Sequence, residues 1–188
     1  MKHREELWKI LRQNVTSEVL LKHSLAVEIA MRAYARKYGE DVEYWGAVGL
    51  LHDIDFEKYP DDHPNHAPEI LKSYGFDEQF VTDVISHARE WDKQRSQLQK
   101  TLLAVDEMTG FVIACALVRP DKSLSNLEVK SVVKKMKDKA FARAVNRETI
   151  ISSAQAMGVE LADHIGFVTE ALALASEQPE YKEIPLVG

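Results

Sequence analysis

An acidic residue lies within a strongly apolar helical stretch of the chain and restricts how that stretch can pack. The segment 100–118 has the spacing of a core helix, but Asp106 lies on its apolar face. Its neighbours on that face at helical spacing are Leu102, Leu103, Gly110, Ile113 and Leu117. A carboxylate on an apolar face is costly to bury unless a cation or a full set of donors contacts it. The helix must therefore pack where Asp106 meets such a partner.

Three histidines repeat this anomaly on other predicted helices. His23, His52 and His87 each share a face with apolar residues, and Asp53 directly follows His52. A single histidine on an apolar face is usually a hydrogen-bonded core residue. Ligand-type side chains that point inward from four helices, however, need a common partner, and a metal ion is the simplest one. The pattern therefore predicts that the four helices pack around a metal site.

The ligand types narrow the choice of metal. Imidazole nitrogen and carboxylate oxygen suit Mn, Fe, Co, Ni and Zn, and the lack of thiolate ligands argues against a structural zinc site. Neighbouring helical residues project about 100° apart, so His52 and Asp53 can hold one ion between them. The two oxygens of Asp53 could also bridge to a second ion, with His63 and His87 as its other ligands. We therefore expect one or two divalent transition-metal ions.

The rest of the chain also has helical periodicity, and we find no convincing strand alternation. We predict an all-α fold, a compact helical bundle, with breaks near Gly39 and Gly75 and an irregular loop at 54–68 that contains three prolines. We expect new helices to start at Asp41, at Asp77, and at Ser96 or Gln97. We divide the chain into an N-terminal helix at 1–18 that packs on the core, a metal-binding core at 19–118, and a C-terminal helical extension of the same domain at 119–188.

Charge and composition exclude several classes of protein. A formal charge of −6 argues against general binding to nucleic acid or to membrane surfaces. No apolar stretch approaches a membrane span, and the charged N-terminus does not read as a signal peptide, so we expect a soluble, cytoplasmic protein. The single cysteine, Cys115, is expected to be buried in the core. Positive charge accumulates between Arg119 and Arg147, which could favour phosphate-bearing ligands or could be a solvated helix face.

The order of these residues along the chain resembles the HD superfamily of metal-dependent phosphohydrolases. The segments GLLHDI at 49–54, HPNHAPEIL at 63–71, ISH at 85–87 and LAVDE at 103–107 carry the resemblance, which covers about residues 19–118. It implies a helical bundle of the HD-domain type. It also implies that His23, His52, Asp53 and Asp106 bind a first metal and that Asp53 bridges to a second metal held by His63 and His87. These assignments do not include His3, His66 or His164.

The sequence departs from many members of this superfamily at one position. Phe56 occupies the place of a lysine three residues after Asp53, so the nearby Lys58 becomes the candidate for contacting a phosphate and for catalysis. Asp55 is a further catalytic candidate, either orienting a ligand or transferring a proton. Arg89 and Lys93 follow His87 and could bind a substrate phosphate. Each of these residues could instead be an exposed loop or surface residue.

The resemblance and the ligand set together favour a metal-dependent phosphohydrolase. A metal-bound water or hydroxide would cleave a phosphoester or phosphoanhydride of a nucleotide or related small molecule in one step. The chain has no Gly-rich phosphate loop and no activated serine or cysteine nucleophile. A diiron oxygenase on the same fold and a nucleotide-binding regulatory module without turnover are the two alternatives. The sequence also leaves open whether the chain forms a homodimer.

Overall fold

The fold was analysed in a computed structural model, which describes residues 1–88, 94–182 and 184–187. The helices are α1 Arg4–Asn14, α2 Glu18–Tyr38, α3 Val42–Leu51, α4 Ala67–Ser73, α5 Glu78–Ile85, α6 Gln97–Leu117, α7 Val129–Met136, α8 Arg147–Ala156 and α9 Leu161–Ser176, followed by a short 3-10 helix at Pro179–Tyr181. Within these ranges the structure has no β-strand. The prediction of an all-α fold is confirmed.

The two longest helices, α2 and α6, form the centre of the bundle. Each has 21 residues, and α2 packs against α3, α6 and α9. The largest side chains that the bundle buries completely include Met31, Tyr34, Leu50, Leu102, Met108 and Phe111. These residues come from α2, α3 and α6, so the faces of these three helices that meet in the core are fixed by apolar burial. Cys115 on α6 is buried, as expected.

The helix boundaries follow from local side-chain chemistry. Gly39 ends α2 in the left-handed conformation, at φ 72°, which favours glycine. The carboxylate of Asp41 accepts hydrogen bonds from two backbone N–H groups at the start of α3, and Asp77 does the same with one at the start of α5. Ser96 and Gln99 form a capping box at the start of α6. The prediction placed helix boundaries at all of these positions.

A buried ion-pair network joins the first three helices. The carboxylate of Glu28 on α2 is fully buried and accepts hydrogen bonds from Arg4 on α1 and from Arg32 on α2. The guanidinium of Arg32 also donates two bonds to Glu43 on α3. A Cβ atom added at Gly46 would lie 2.6 Å from Arg32 Nε, so the glycine makes room for this side chain. The network therefore fixes how α3 lies against α2.

Among the described helices, none has both the length and the apolar character that a membrane crossing requires.

Candidate metal centre

Four predicted ligands from three regions of the bundle meet at one point. His23 lies on α2, His52 caps the end of α3, Asp53 follows it, and Asp106 lies on α6. The Nε2 atom of His23 is 3.0 Å from Asp106 Oδ1, 3.2 Å from His52 Nε2 and 3.6 Å from Asp53 Oδ2. The Nε2 atom of His52 is 3.3 Å from Asp53 Oδ2 and 3.6 Å from Asp106 Oδ1. We call these four residues the first ligand group.

These distances suit a first-row transition metal. A regular tetrahedron with edges of about 3.3 Å has its centre about 2.0 Å from each corner, which is the usual length of a Zn–N or Zn–O bond. All four donors are nitrogen or carboxylate oxygen, the atoms that divalent Mn, Fe, Co, Ni and Zn accept. The spacing of His23, His52 and Asp53 therefore fits one such ion, and Asp106 Oδ1 lies within 3.6 Å of both imidazole nitrogens.

A second ligand group lies on the other side of Asp53. The Nε2 atom of His63, in the loop before α4, is 3.2 Å from Asp53 Oδ1 and 2.9 Å from His87 Nε2. His87 Nε2 is 3.5 Å from the same Asp53 oxygen. Asp53 thus presents Oδ2 to the first group and Oδ1 to the second. The carboxylate could therefore bridge two ions, and the second group would offer three donor atoms to its ion.

Three of the four histidines in these groups are held in one tautomer by their other ring nitrogen. The Nδ1 atoms of His52 and His87 lie 2.8 and 2.7 Å from the backbone carbonyls of Gly49 and Val84, which can only accept hydrogen bonds. The Nδ1 atom of His63 lies 2.7 Å from Asp55 Oδ1. Each Nδ1 therefore carries the proton, and each Nε2 directs its lone pair into the cluster. Lone pairs facing each other need a cation between them.

The electrostatics of the cluster also favour bound positive charge. Burial alone would raise the pKa of Asp53 and Asp106, but contacts with the neighbouring imidazoles outweigh it and hold both pKa values low. Burial lowers the pKa of His63, but the carboxylates of Asp53 and Asp55 reverse this and raise the pKa to about 9. The carboxylates are therefore ionised. A metal that binds here displaces protons from the imidazoles.

Asp55 does not face the space between the two ligand groups. Its side chain is fully buried, with Oδ1 accepting from His63 and Oδ2 accepting from the backbone N–H groups of His66 and Ala67. All of these bonds orient the loop that carries His63. Asp55 therefore contacts a ligand rather than the space in which a substrate would lie.

The structure does not bring Lys58 into the cluster. Its side chain is exposed, and its ammonium group donates to Asn14 Oδ1 at the end of α1, at 3.1 Å. Phe56 instead packs its ring edge-on against the ring of His63, with 5.2 Å between centroids. The other two predicted phosphate contacts, Arg89 and Lys93, lie outside the described residues. The roles proposed for these three cations stay predictions.

The face of α6 that carries Asp106 is not the core face that we predicted. Of the predicted neighbours, Leu102 is fully buried, but Leu103, Gly110 and Ile113 are only half-buried, and Leu117 is 43% exposed. The fully buried side of α6 is turned away from them and consists of residues such as Met108 and Phe111. Apolar spacing alone misassigned this face because α6 carries apolar residues on both sides. Asp106 therefore lies at an opening of the bundle rather than in its centre.

His87 lies just beyond α5 instead of within it. The helix ends at Ile85 because side chains take over its last carbonyl groups: Ser86 Oγ donates to Asp83 O, and His87 Nδ1 donates to Val84 O. The same bond that ends the helix directs His87 Nε2 at Asp53. The prediction that His87 lies within a helix was wrong, but the imidazole ring does point inward, as we expected.

The histidines that we left out of the ligand set do not join it. His66 stacks on Tyr59, with 3.8 Å between ring centroids, and pairs with Asp62. His164 is buried between the hydroxyl of Tyr34, at 2.6 Å from Nδ1, and the carbonyl of Ala104. His66 and His164 therefore each interact with residues outside the two ligand groups.

Comparison with known families gives this arrangement a name. Residues 20–165, well over half of the chain, match the HD domain. The chain belongs to the HD domain family. This is the superfamily of metal-dependent phosphohydrolases, and HD domains bind divalent metals. The HD match contains all six cluster residues and runs beyond residue 118 into the segment that we assigned to a C-terminal extension. No curated protein and no solved structure matches the chain.

We did not identify from the sequence the backbone carbonyl groups that orient two of the candidate ligand histidines. The carbonyls of Gly49 and Val84 fix His52 and His87, and each lies three residues before its histidine. A backbone carbonyl leaves no mark in the sequence beyond this spacing at a helix end. The positive charge of the segment that begins at Arg119 is partly neutralised within the segment itself, because Arg119 pairs with Asp121 and Lys130 pairs with Glu128.

Proposed function

We propose that this HD protein is a metal-dependent phosphohydrolase that cleaves a phosphoester or phosphoanhydride of a nucleotide or a related small molecule. One observation carries the proposal: the two oxygens of Asp53 each face a separate group of donors, 3.2 to 3.6 Å from the imidazole nitrogens around them. Such an arrangement is suited to paired metal ions, and paired ions are a recurrent solution for displacement at phosphorus.

In this proposal the residues of the chain provide the metal donors and set the electric charge of the site. When bound, divalent ions supply Lewis acidity to phosphoryl oxygens and lower the pKa of water. Asp53 and Asp106 supply two negative charges, which would compensate part of the charge of bound cations. Because the Nδ1 atoms of His52, His63 and His87 are held by hydrogen bonds, their Nε2 atoms already face the cluster and become metal donors once their protons are displaced.

Differences in exposure indicate where a substrate enters. The side chains of His52 and His87 are 0% and 5% exposed, whereas those of His23 and Asp106 are both 22% exposed. His23 lies on α2 and Asp106 on α6, so the cluster opens between these two helices. A phosphate group would approach along this side, and the wall formed by α3 and α5 would exclude water behind the cluster.

Three further residues, Asp55, Lys58 and Cys115, bear on the proposed reaction. Asp55 is best assigned as a positioning residue, because every contact that it makes orients the loop of His63. Lys58 would contact a phosphate only after leaving Asn14. Burial raises the pKa of Cys115 to about 11, so its thiol is not a nucleophile at neutral pH. A direct displacement by water is the reaction that this site favours.

The test uses the full chain loaded in turn with Mn, Fe, Co, Ni or Zn. Phosphate release from nucleotides and from p-nitrophenyl phosphate is measured for the wild type, Asp53→Asn and His66→Gln. We expect release by the wild type, loss of at least about 100-fold in kcat/KM for Asp53→Asn, and no change for His66→Gln. Activity that is equal in all three proteins contradicts the proposal. Iron-dependent oxygen uptake without phosphate release would indicate the oxygenase, and nucleotide binding without release would indicate the regulatory module.

A further inference from the structure

Gly110 lies in the interior of a long helix, and no contact among the described residues explains why a glycine stands there. It is the fourteenth residue of the 21-residue helix α6. Glycine weakens a helix interior relative to alanine, because it loses more backbone freedom on folding. Within the described part of the chain, apart from the two adjacent residues and the backbone of the same helical turns, no heavy atom lies within 4 Å of a Cβ atom added at this position. An alanine would fit, and it would strengthen the helix.

The other described glycines all have a local explanation. Gly39, Gly75 and Gly158 have φ between 72° and 81°, where side chains are strained. A Cβ atom at Gly46 or Gly49 would come within 3.0 Å of α2 atoms, and one at Gly166 would lie 3.3 Å from Val129. Gly110 differs from all of these, because it has ordinary helical geometry and faces open space.

That open space borders the metal cluster. Gly110 lies four residues after Asp106, so the two share one face of α6. The Cα–Cβ bond of a helical residue tilts towards the N-terminus, so a side chain at 110 would extend over the turn that holds Asp106. This is the side on which the cluster is exposed, since the Asp106 side chain is 22% accessible.

We propose that Gly110 is a specificity-determining residue: it keeps open the space beside Asp106 that receives the organic group joined to the reacting phosphate. The inference rests on the proposed phosphohydrolase function and extends it to the shape of the substrate. A phosphate held at the cluster carries its ester group towards one side, and α6 lies along the open side. A side chain at 110 would occupy the position of that group.

The surroundings of Gly110 indicate the chemistry of this group. Leu103 and Ile113 lie on the same half-buried face of α6, one on each side of the glycine along the helix. Both are apolar and neither is fully covered by the bundle. This surface favours an apolar or aromatic ester group over a second charged phosphate at this position.

The test compares Gly110→Ala, Gly110→Leu and Ala114→Leu with the wild type, all as the zinc- or manganese-loaded full chain. The assays measure kcat and KM for p-nitrophenyl phosphate and the inhibition constant of inorganic phosphate, which has no ester group. We expect Gly110→Leu to raise KM by roughly tenfold or more and Gly110→Ala to raise it less. The inhibition constant of phosphate and the metal content should stay at the wild-type values in all variants.

The matched control adds the same leucine one turn further from Asp106, so Ala114→Leu should leave KM for this small ester unchanged. Gly110→Ala should also raise the Tm, which separates loss of substrate binding from loss of folding. If Gly110→Leu keeps the wild-type KM, the role of Gly110 is refuted and the hydrolase function stands. If phosphate inhibition weakens as much as KM rises, the leucine disturbs the cluster itself, which also refutes this role. A wild type without any phosphate release overturns both proposals.

Discussion

The Nε2 atoms of His63 and His87 lie 2.9 Å apart, although each ring already donates its Nδ1 proton elsewhere. Two neutral imidazoles in this arrangement would direct lone pairs at each other. A positive charge between them resolves the conflict. In the metal-free protein this charge is a proton, since the pKa of His63 is raised to about 9. In a metal-bound protein it would be the second ion that we propose.

Removing one of these rings should therefore remove one metal ion. We expect the wild type to bind about two equivalents of zinc or manganese per chain and His63→Gln to bind about one. His66→Gln, three residues further on, should bind the same amount as the wild type, because His66 pairs with Asp62 and Tyr59 instead. Elemental analysis after dialysis measures this difference. Equal metal content in His63→Gln and the wild type contradicts a second site.

Asp55→Asn should act on the metal through the tautomer of His63. The new amide can keep its oxygen on the backbone N–H groups of His66 and Ala67 only by turning its NH2 group towards His63 Nδ1. That ring must then carry its proton on Nε2, where it cannot bind a metal. We expect affinity for the second ion to fall by roughly 10- to 100-fold.

The histidine tautomer can be read directly from ring 15N shifts of the zinc-loaded protein. Asp62→Asn is the control, because its carboxylate is exposed and pairs with His66 outside the cluster. A His63 ring that keeps its Nδ1 proton in Asp55→Asn would show that Asp55 does not set the tautomer.

The same substitution should have opposite effects on stability at two glycines. Gly46→Ala places a methyl group 2.6 Å from Arg32 Nε, and the bonds of Arg32 to Glu28 and Glu43 prevent the side chain from moving away freely. We expect a loss of about 1–3 kcal/mol in the free energy of unfolding. Gly110→Ala should gain up to about 1 kcal/mol. Urea unfolding measures both, and a loss at Gly110 would show that its methyl group meets a contact.

The buried His164 should make the protein less stable in mild acid. Burial lowers its pKa below the usual 6.5, so below about pH 6.5 the unfolded chain takes up a proton that the folded protein excludes. The stabilising contribution is complete above this pH and is lost as the pH falls towards the folded-state pKa. His164→Gln should flatten this dependence.

The variant should also lower the free energy of unfolding by about 1–3 kcal/mol at pH 8, since Tyr34 and Ala104 lose a buried partner. Unfolding curves from about pH 5 to pH 8 test both effects, with His3→Gln as an exposed control. A pH dependence that is the same in His164→Gln and the wild type assigns it to another group.

Much of the fold and ligand set could be predicted because the signals are local. Gly39, Asp41, Asp77 and Ser96 act within a turn or two of their own position, and each lies at the boundary expected for it. The candidate ligands could be picked out because imidazoles and carboxylates that interrupt helical faces stand out in a single sequence, and the structure brings them into two adjoining groups.

What the sequence could not supply depends on contacts between distant segments. Lys58 was placed near a phosphate because of its position after Asp53, but its ammonium group reaches Asn14, 44 residues earlier. The face of Asp106 was misjudged because spacing does not tell which apolar side of α6 is covered. Gly110 was visible as a residue, but the empty volume beside it exists only once the bundle is assembled.

The start of α2 depends on a carboxylate from another part of the chain. Ser17 makes no side-chain cap, and Glu57 accepts from the backbone N–H groups of Thr16 and Ser17 and from the Thr16 hydroxyl. Glu57 follows Asp53 by four residues, and Thr16 precedes His23 by seven. This contact at the surface thus links the start of α2, which carries His23, to the segment that follows Asp53. Substitutions at Thr16, although this residue lies outside the cluster, should therefore alter the distance between His23 and Asp53.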